Sequence, residues 1–431
     1  MTGSRKPEVV TAPLSLSLDA YRHVRSQSQA LASSLSDADA TVQSMEDASP
    51  AKWHLAHTTW FFETFVLVPS AQDYAVFHPA YNFLFNSYYE AVGERHARPQ
   101  RGMLTRPTLD EICAYRAHVD AAMVRLFDGG LDDDLRPLIE LGLHHEQQHQ
   151  ELLLTDILHM FAQNPLRPAF RAPQPLAMPS HRSAALDWFA YEGGVVEIGA
   201  GGDGFAFDCE GPRHSVFLRP FELASRAVTN GEWLSFMKAG GYDEPSYWLS
   251  DGLAVARARG WCAPLYWFEK DGAWWSMTLR GPQPVDLEAP VAHVSFYEAD
   301  AFARYAGARL PSEAEWEVAA RDQPVEGNFS VHGYLRPRPQ NSGTDAPCGL
   351  YGDVWEWTHS AYSAYPGFAP AEGAVGEYNG KFMSGQMVLR GGSCATPAGH
   401  MRPSYRNFFH PDKRWQFSGL RLARDLAKDD V

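Results

Sequence analysis

The spacing of apolar residues divides the chain into two parts. Up to about residue 164, leucines and aromatic residues recur three or four positions apart in long segments with few glycines or prolines, which is typical of helices. Five prolines between Pro165 and Pro179 end this pattern, and glycine, tryptophan and short alternating segments follow. We therefore predict a helical part over residues 1–164, a linker over 165–184 and a mixed part over 185–431.

The first part is predicted to contain four long helices. They cover residues 14–35, 51–63, 108–126 and 134–160. Ser49 and Thr108 are residue types that cap helix N-termini, and Pro50 fits the first helical position after Ser49. Four long helices indicate a bundle, and bundles build metal sites from side chains on facing helices.

The second part is predicted to contain three shorter helices, over residues 229–239, 295–305 and 312–321. Thr229 and Ser312 are suitable N-caps for two of them. No recurring period and no low-complexity tract is present, so a repeat architecture is not expected.

The fourth helix carries the most informative segment, Leu143 to Leu154, which contains His145 and His149. Residues four apart on a helix project about 40° from each other, so these two imidazoles share one face and could bind one metal ion. Two ligands do not complete a metal site, and a third must come from elsewhere in the chain.

The same letters spell the His-Glu-x-x-His motif of zinc proteases. A metzincin would continue with glycine at position 152 and histidine at position 155, where this chain has Leu152 and Thr155. The glutamate form of the motif needs a second acidic helix, but the next glutamate after Glu151 is Glu192, beyond the linker. The surrounding sequence therefore argues against a protease.

Composition narrows the possible partners. The 431 residues include 45% apolar and 13% aromatic residues, and the net charge is −15, which argues against nucleic acid or an anionic membrane as a partner. The first 18 residues lack the apolar core of a signal peptide, and no segment has the length of a membrane span. The five cysteines are odd in number and never closely spaced, so we expect reduced thiols and a cytoplasmic location.

A further histidine, His57, lies on one stripe of the second helix with Trp53, Ala56 and Trp60. A histidine among tryptophans is usually a hydrogen-bonded core residue, and on the stripe alone that interpretation is the stronger one. We interpret His144, which projects about 100° away from the His145 face, as structural, and His159 likewise.

Five motifs of the second part occur in a recognisable order. They are Asn230-Gly231-Glu232-Trp233, Pro290-Val291-Ala292-His293-Val294-Ser295, Arg309-Leu310-Pro311-Ser312-Glu313-Ala314-Glu315-Trp316-Glu317, Gly352-Asp353-Val354-Trp355-Glu356-Trp357 and Leu389-Arg390-Gly391-Gly392-Ser393. Together they resemble the formylglycine-generating-enzyme/sulfatase-modifying-factor fold, an irregular α+β scaffold related to C-type lectins. Those enzymes bind copper through a cysteine pair that follows the Arg-Gly-Gly-Ser turn, whereas this chain has only Cys394 there. Copper chemistry is therefore not expected.

The first part resembles the DinB-like four-helix bundle, whose members hold a metal with one histidine from an early helix and two from a later one. His57, His145 and His149 match that pattern. A DinB-like bundle followed by a formylglycine-generating-enzyme-like domain is the architecture of the ergothioneine-biosynthetic sulfoxide synthases. The resemblance covers nearly the whole chain and raises the metal interpretation of these three histidines above the structural one.

This resemblance implies non-haem Fe(II) as the cofactor. Three neutral imidazoles suit iron and leave coordination positions open for substrates and dioxygen. The family joins the sulfur of cysteine or γ-glutamylcysteine to C2 of the imidazole of hercynine, the trimethylated histidine betaine, and one oxygen atom becomes the sulfoxide. Glu151 projects about 240° around the helix from His145, so we expect it to orient a ligand imidazole or a neighbouring helix.

The reaction needs a proton or hydrogen-atom donor beside bound oxygen, and a phenol can serve. Tyr88 and Tyr89 lie in a segment that resembles the subgroup with catalytic tyrosines on the bundle side. Tyr378 is the alternative, because another subgroup takes its tyrosine from the second domain. Which tyrosine acts first stays open at this point.

The resemblance also implies the substrate-binding residues. Gln148 resembles the glutamine that holds the carboxylate of hercynine, and Asn407, Phe408 and Phe409 lie where the family receives its trimethylammonium group, which aromatic faces attract. An aspartate occupies the place of Phe409 in the γ-glutamylcysteine-using subgroup, so free cysteine is the expected donor.

Two arginines of the basic loop before the third helix are candidates for binding the thiol substrate. The guanidinium forks of Arg98 and Arg101 match a carboxylate, although a solvated basic loop is an equal alternative. Three other functions stay open: a relative that transfers selenium from a selenosugar to hercynine, a DinB-type zinc thiol transferase, and a non-catalytic binding module. The sequence leaves the oligomeric state undetermined.

Overall fold

The computed structural model describes residues 15–174, 185–202, 204–340 and 346–426. Residues 1–14 and most of the predicted linker, residues 175–184, lie outside the described part. The helices of the first half are α1 (Leu18–Ala32), α2 (Asp37–Thr41), α3 (Ala51–Phe61), α4 (Val68–Ser70), α5 (Tyr81–Phe85), α6 (Leu109–Asp128) and α7 (Arg136–Gln163). The four long ones, α1, α3, α6 and α7, pack against one another and confirm the predicted bundle.

Of the two helix caps predicted in this half, one is present. Thr108 caps α6 in a capping box with Glu111, as the sequence predicted. The predicted cap by Ser49 is wrong: Pro50 holds the cap position of α3 without a side-chain hydrogen bond. The Ser49 amide instead donates to the carboxylate of Asp156 on α7, so a contact between helices replaces the expected local one.

Helix α3 is the centre of the bundle. All of its eleven residues are buried, because α1, α6 and α7 each contact it. It continues directly into a π-helical segment, Phe62–Leu67. π-Helical segments within helices often occur at functional sites, and this one begins five residues after His57.

Glu146 occupies the second position of the His-Glu-x-x-His motif, where a zinc protease has its general base. Its carboxylate is fully buried and accepts hydrogen bonds from Arg25 and Arg116, each at 2.8 Å. Burial opposes the charge, but the two guanidinium groups outweigh burial and lower the pKa of Glu146 to about 2. Glu146 therefore joins three bundle helices and is not placed to act as a base.

The second half combines short helices with small sheets. Its helices are α8 (Asn230–Lys238), α9 (Ser250–Arg259), α10 (Phe296–Tyr305), α11 (Glu313–Ala320) and α12 (Glu377–Gly380). Its strands are β1 (Trp188–Tyr191), β2 (Gly194–Ile198), β3 (His214–Leu218), β4 (Phe221–Ala227), β5 (Trp267–Lys270), β6 (Ala273–Thr278), β7 (Gly281–Pro284), β8 (Trp355–Ala361), β9 (Met387–Arg390), β10 (Asn407–Phe409), β11 (Ser418–Gly419) and β12 (Arg421–Asp425). The α+β class predicted for this half is confirmed.

The strands form four small sheets, with the orders β1-β4-β12, β10-β9-β8-β11, β2-β3 and β5-β6-β7. Only β11 and β8 pair in parallel among the described strands. The sheet that contains β8, β9 and β10 contributes directly to the site, because β10 carries Asn407, Phe408 and Phe409.

The three helices predicted in this half are present, each with a capping box formed by Thr229, Ser295 or Ser312. Helix α9 was not predicted, because its sequence has no apolar stripe and contains Gly252. A Cβ at position 252 would lie 2.8 Å from the side chain of Tyr297, so glycine permits α9 to approach α10 closely.

Polar contacts join the two halves along α7. The carboxylate of Glu151 accepts hydrogen bonds from Trp355 Nε1, Ser393 Oγ and Thr396 Oγ1 at 2.5 to 2.8 Å. The expectation that Glu151 orients a ligand imidazole or a neighbouring helix is therefore wrong: its partners are all in the second half. His144, interpreted as structural, stacks on Phe205 and lies at the same interface.

Within the described residues, no helix combines the length and the apolar character that crossing a membrane requires. The longest, α7, carries histidines, glutamines and glutamates along its middle.

We predict that Glu146→Gln lowers the free energy of unfolding by about 3–5 kcal/mol at neutral pH, because it leaves Arg116 buried without its anion and Arg25 with Asp120 alone. Chemical denaturation measures this, with exposed Glu94→Gln as the matched control. Because the folded-state pKa of Glu146 is depressed, the difference from the parent protein should shrink as pH falls from about 4.5 towards 2. A variant as stable as the control would contradict the role assigned to this carboxylate.

Candidate functional site

Three imidazoles meet between α3 and α7. One ring nitrogen from each of His57, His145 and His149 lies within 4.8 Å of the other two. His57 and His145 are buried and His149 is largely buried. The helical spacing brings the α7 pair together, and the packing of α3 on α7 supplies the third ring.

The orientation of His57 is fixed from several sides. Its Nδ1 donates to the carbonyl of Phe85 at 2.6 Å, which leaves Nε2 as the free lone pair. Its ring lies between the indoles of Trp53 and Trp60, nearly parallel to both, with centroid distances of 4.6 and 5.5 Å. The tryptophan stripe of α3 therefore holds the imidazole rigidly. His57 is more than a hydrogen-bonded core residue, because its Nε2 stays free.

His149 is held by a chain of hydrogen bonds. Its Nδ1 lies 2.8 Å from Nδ1 of His54, and Nε2 of His54 lies 3.0 Å from a carboxylate oxygen of Asp156. Since a carboxylate accepts, His54 donates through Nε2 and accepts through Nδ1, so His149 carries its proton on Nδ1. Nε2 of His149 is thereby left free for another ligand.

His54 and Asp156 were not predicted from sequence, although local spacing contains a signal for each. His54 precedes His57 by three residues, and Asp156 follows His149 by seven, so each lies on the face of its helix that carries the predicted ligand. The contact between His54 and His149 joins two helices, and the spacing within either helix does not reveal it.

The environment keeps the three imidazoles neutral. Burial, together with the other histidines and Arg101, holds the pKa values of His57 and His149 well below their ordinary value. Burial lowers the pKa of His145 to about 4, and its buried Nδ1 has no hydrogen-bond partner in the described part of the chain. Neutral imidazoles with free lone pairs are the form that binds a divalent transition metal, so this donor set fits one.

A chamber of about 250 Å³ opens beside the triad, between the two halves. His57 and His149 line the chamber, whereas His145, the third member of the triad, lies behind its wall. All other predicted site residues line the chamber: Tyr88, Tyr89, Arg98, Arg101, Gln148, Asn407, Phe408 and Phe409, together with the alternative Tyr378. The structure thus brings together positions more than 300 residues apart in sequence.

Two arginines of the basic loop before α6 lie in the chamber wall. Arg101 is only 3% exposed, stacks on the indole of Trp53 at 3.4 Å and donates to the hydroxyls of Ser49 and Ser87. Burial lowers the pKa of Arg101 to about 9. Arg98 donates to the phenol oxygen of Tyr88. Neither arginine has a carboxylate within ion-pair distance among the described residues, and a solvated loop is the wrong interpretation for Arg101.

The candidate tyrosines differ in their surroundings. Tyr88 packs against Tyr378 and Phe382 of the second half. Tyr89 is 3% exposed, and its ring contacts Trp60, which in turn stacks on His57. Burial raises the pKa values of Tyr89 and Tyr378 above the ordinary value for a phenol, so both retain their protons at neutral pH.

Gln148 and the residues of β10 make contacts of their own. The Gln148 side-chain amide donates to the phenol oxygen of Tyr405 at 2.8 Å. The side-chain oxygen of Asn407 accepts from the amide of Phe408, whose ring stacks on Tyr362 at 3.9 Å. Phe409 packs edge-on against Trp415. The aromatic character expected of this wall is present.

Other residues of the chamber wall were not predicted. Asp47 forms an ion pair with Lys413 at 2.6 Å across the two halves. Gln416 is 2% exposed, and both polar atoms of its amide lack a hydrogen-bond partner among the described residues. Cys394, the single cysteine after the Arg-Gly-Gly-Ser turn, is buried away from the chamber lining. Local sequence does not distinguish these residues from their neighbours, and only the packed structure shows where they lie.

Comparisons with known proteins agree with this architecture. Residues 20–163 match the DinB superfamily, and residues 173–426 match the sulfatase-modifying factor enzyme 1-like domain. Hercynine oxygenase of Mycolicibacterium smegmatis is 34% identical over 88% of this chain and 91% of its own length. Hercynine oxygenase of Mycobacterium tuberculosis is 30% identical over the same shares.

A third relative covers only part of the chain. Ergothioneine biosynthesis protein 1 of Schizosaccharomyces pombe is 28% identical over 51% of this chain and 28% of its own length. The two hercynine oxygenases, by contrast, align across both halves. With its DinB bundle, its second domain and these full-length relatives, the chain belongs to the hercynine oxygenase family of ergothioneine-biosynthetic enzymes, and it is an oxygenase.

Proposed function

We propose that the protein is a non-haem iron(II)-dependent sulfoxide synthase. In this reaction the sulfur of a thiol donor is joined to C2 of the hercynine imidazole at the expense of dioxygen. C–S bond formation removes two electrons and sulfoxide formation two more, so one dioxygen accepts four; one oxygen atom enters the product and the other leaves as water. The names of the full-length relatives support hercynine and dioxygen as substrates.

One observation carries the proposal: three neutral imidazoles with free lone pairs meet at the wall of a chamber whose other walls are cationic and aromatic. His57, His145 and His149 would hold iron, which supplies open coordination positions and the capacity to reduce dioxygen. Zinc would fit three imidazoles as well, but a redox-inactive ion cannot account for the oxygenase activity of the family.

The chamber wall supports the assignment of substrate-binding residues. Arg98 and Arg101 lack a counter-anion among the described residues, so a carboxylate bound there would offset the cost of burying their charge. Phe408 and Phe409 provide an aromatic wall for a trimethylammonium group. Gln148 could exchange its hydrogen bond to Tyr405 for one to the carboxylate of hercynine.

Free cysteine is the proposed donor. By the resemblance, Phe409 stands where the γ-glutamylcysteine-using subgroup has an aspartate, and Phe409 lines the chamber. The phenol of Tyr88 or Tyr89 is proposed to supply a proton for the reduction of dioxygen. We also propose a cytoplasmic location, since all five cysteines are free thiols.

The test of the reaction is turnover with hercynine and cysteine after Fe(II) loading, in air and without oxygen. We expect the sulfoxide only in air, and one ¹⁸O atom in the product under ¹⁸O₂. Parallel reactions with γ-glutamylcysteine and with a selenosugar identify the donor by product mass. Equal product formation without oxygen would refute the proposal.

The metal ligands are tested by His57→Ala, His145→Ala and His149→Ala. Losing only a hydrogen-bond partner of a metal ligand costs ~10–100-fold in metal affinity. Each of these variants removes one of three donors, so we expect a larger loss of iron affinity. Metal analysis of the purified variants measures it. His159→Ala, on the same helix but outside the chamber, is the control. Undiminished iron in any of the three variants would remove that residue from the ligand set.

The tyrosine roles are tested by Tyr88→Phe and Tyr89→Phe. Removing the phenol that donates the proton should shift products from sulfoxide towards cysteine sulfinate, because thiol oxidation needs no such donor. Product ratios from mass spectrometry measure the shift, with Tyr334→Phe, outside the chamber lining, as the control. If both variants keep the parent ratio, the role passes to Tyr378.

A further inference from the structure

A second cavity adjoins the triad on the side away from the chamber. It has a volume of about 390 Å³ and lies between the bundle and the second half. Its mouth is formed by the exposed residues Pro137, Gly204 and Ala371, and its inner end reaches the buried side chains of Phe61 and His145. A path therefore leads from the surface to one of the three imidazoles without crossing the chamber.

The two cavities share one wall, made of Tyr89, Gln148, Phe207, Tyr378 and Asn379. His57 and His149 line the chamber, whereas His145 lines the second cavity. A metal held by the three histidines would consequently be approached from two sides.

The second cavity differs from the chamber in charge. The chamber wall contains Arg98, Arg101, Arg406 and Lys413, whereas no lysine or arginine is among the described residues that line the second cavity. Of the two acidic residues described in its lining, Asp208 accepts a hydrogen bond from Asn379, and burial raises the pKa of Glu140. Without a cationic partner among these residues, the cavity does not favour the carboxylate that each amino-acid substrate carries.

The inner part of the cavity is apolar. Phe61, Leu141, Phe205 and Phe207 line it, and the ring of Phe61 contacts that of His145 with a centroid distance of 5.1 Å. His145 Nδ1 has no hydrogen-bond partner there, in contrast to Nδ1 of His57 and of His149. Apolar cavities of this kind bind small uncharged molecules such as xenon.

We propose that this second cavity is the route by which dioxygen reaches the triad, separate from the chamber that takes the two organic substrates. The inference rests on the proposed function, which needs dioxygen and two charged substrates at one metal. Once hercynine and the thiol fill a chamber of about 250 Å³, its opening is obstructed, and a small uncharged reactant needs another path. The cavity on the His145 side provides that path and excludes the charged substrates.

The test is Leu141→Trp, which places an indole within the cavity lining, with Leu166→Trp as the matched control at a position 87% exposed and outside both cavities. We expect the KM for dioxygen to rise severalfold in Leu141→Trp, with the KM values for hercynine and cysteine unchanged. Val375→Phe, nearer the mouth, is a second variant in case the first does not fold.

Xenon provides a readout that does not depend on turnover. Crystals of the parent protein pressurised with xenon should show a xenon site in the second cavity, and this site should be lost in Leu141→Trp. If Leu141→Trp loses the xenon site but keeps the parent KM for dioxygen, the proposed route is wrong. It is also wrong if the KM for hercynine or cysteine rises instead of the KM for dioxygen. Parent protein without oxygen-dependent turnover would refute the proposed function itself, and the route with it.

Discussion

The hydrogen bonds of Glu151 to the second half are the constraint on which the site depends. The chamber exists only where α7 faces the sheet of the second half, and this carboxylate fixes the distance between them through three donors, Trp355, Ser393 and Thr396. Burial raises the pKa of Glu151, and the three hydrogen bonds counteract that increase. A half-buried carboxylate with three donors holds the interface in one register, because any shift would leave a polar group without a partner.

Helix α7 performs three tasks with three faces. Glu146 faces the bundle core and pairs with Arg25 and Arg116, His145 and His149 face α3, and Glu151 faces the second half. A helix with polar groups on every face has no simple apolar stripe. Its stability comes from satisfying each buried polar group with a specific partner.

Much of the architecture could be predicted from sequence, because it depends on local rules. Apolar spacing located the long helices, Thr108 located the start of α6, and the four-residue separation of His145 and His149 placed them on one face. The failures concern partners from distant parts of the chain. The amide of Ser49 bonds to Asp156, and the carboxylate of Glu151 bonds to side chains more than two hundred residues away. Periodicity reports which face a residue occupies, but it contains no information on what lies opposite.

The donors of the triad have a consequence for how the protein is made. His57, His145 and His149 all belong to the first half, as do Phe85, His54 and Asp156, which orient two of them. Synthesis proceeds from the N-terminus, so the complete set of donors leaves the ribosome before the second half, which forms the opposite wall of the chamber, has been translated. Metal insertion and the assembly of the substrate site can thus occur as successive events in the life of one nascent polypeptide.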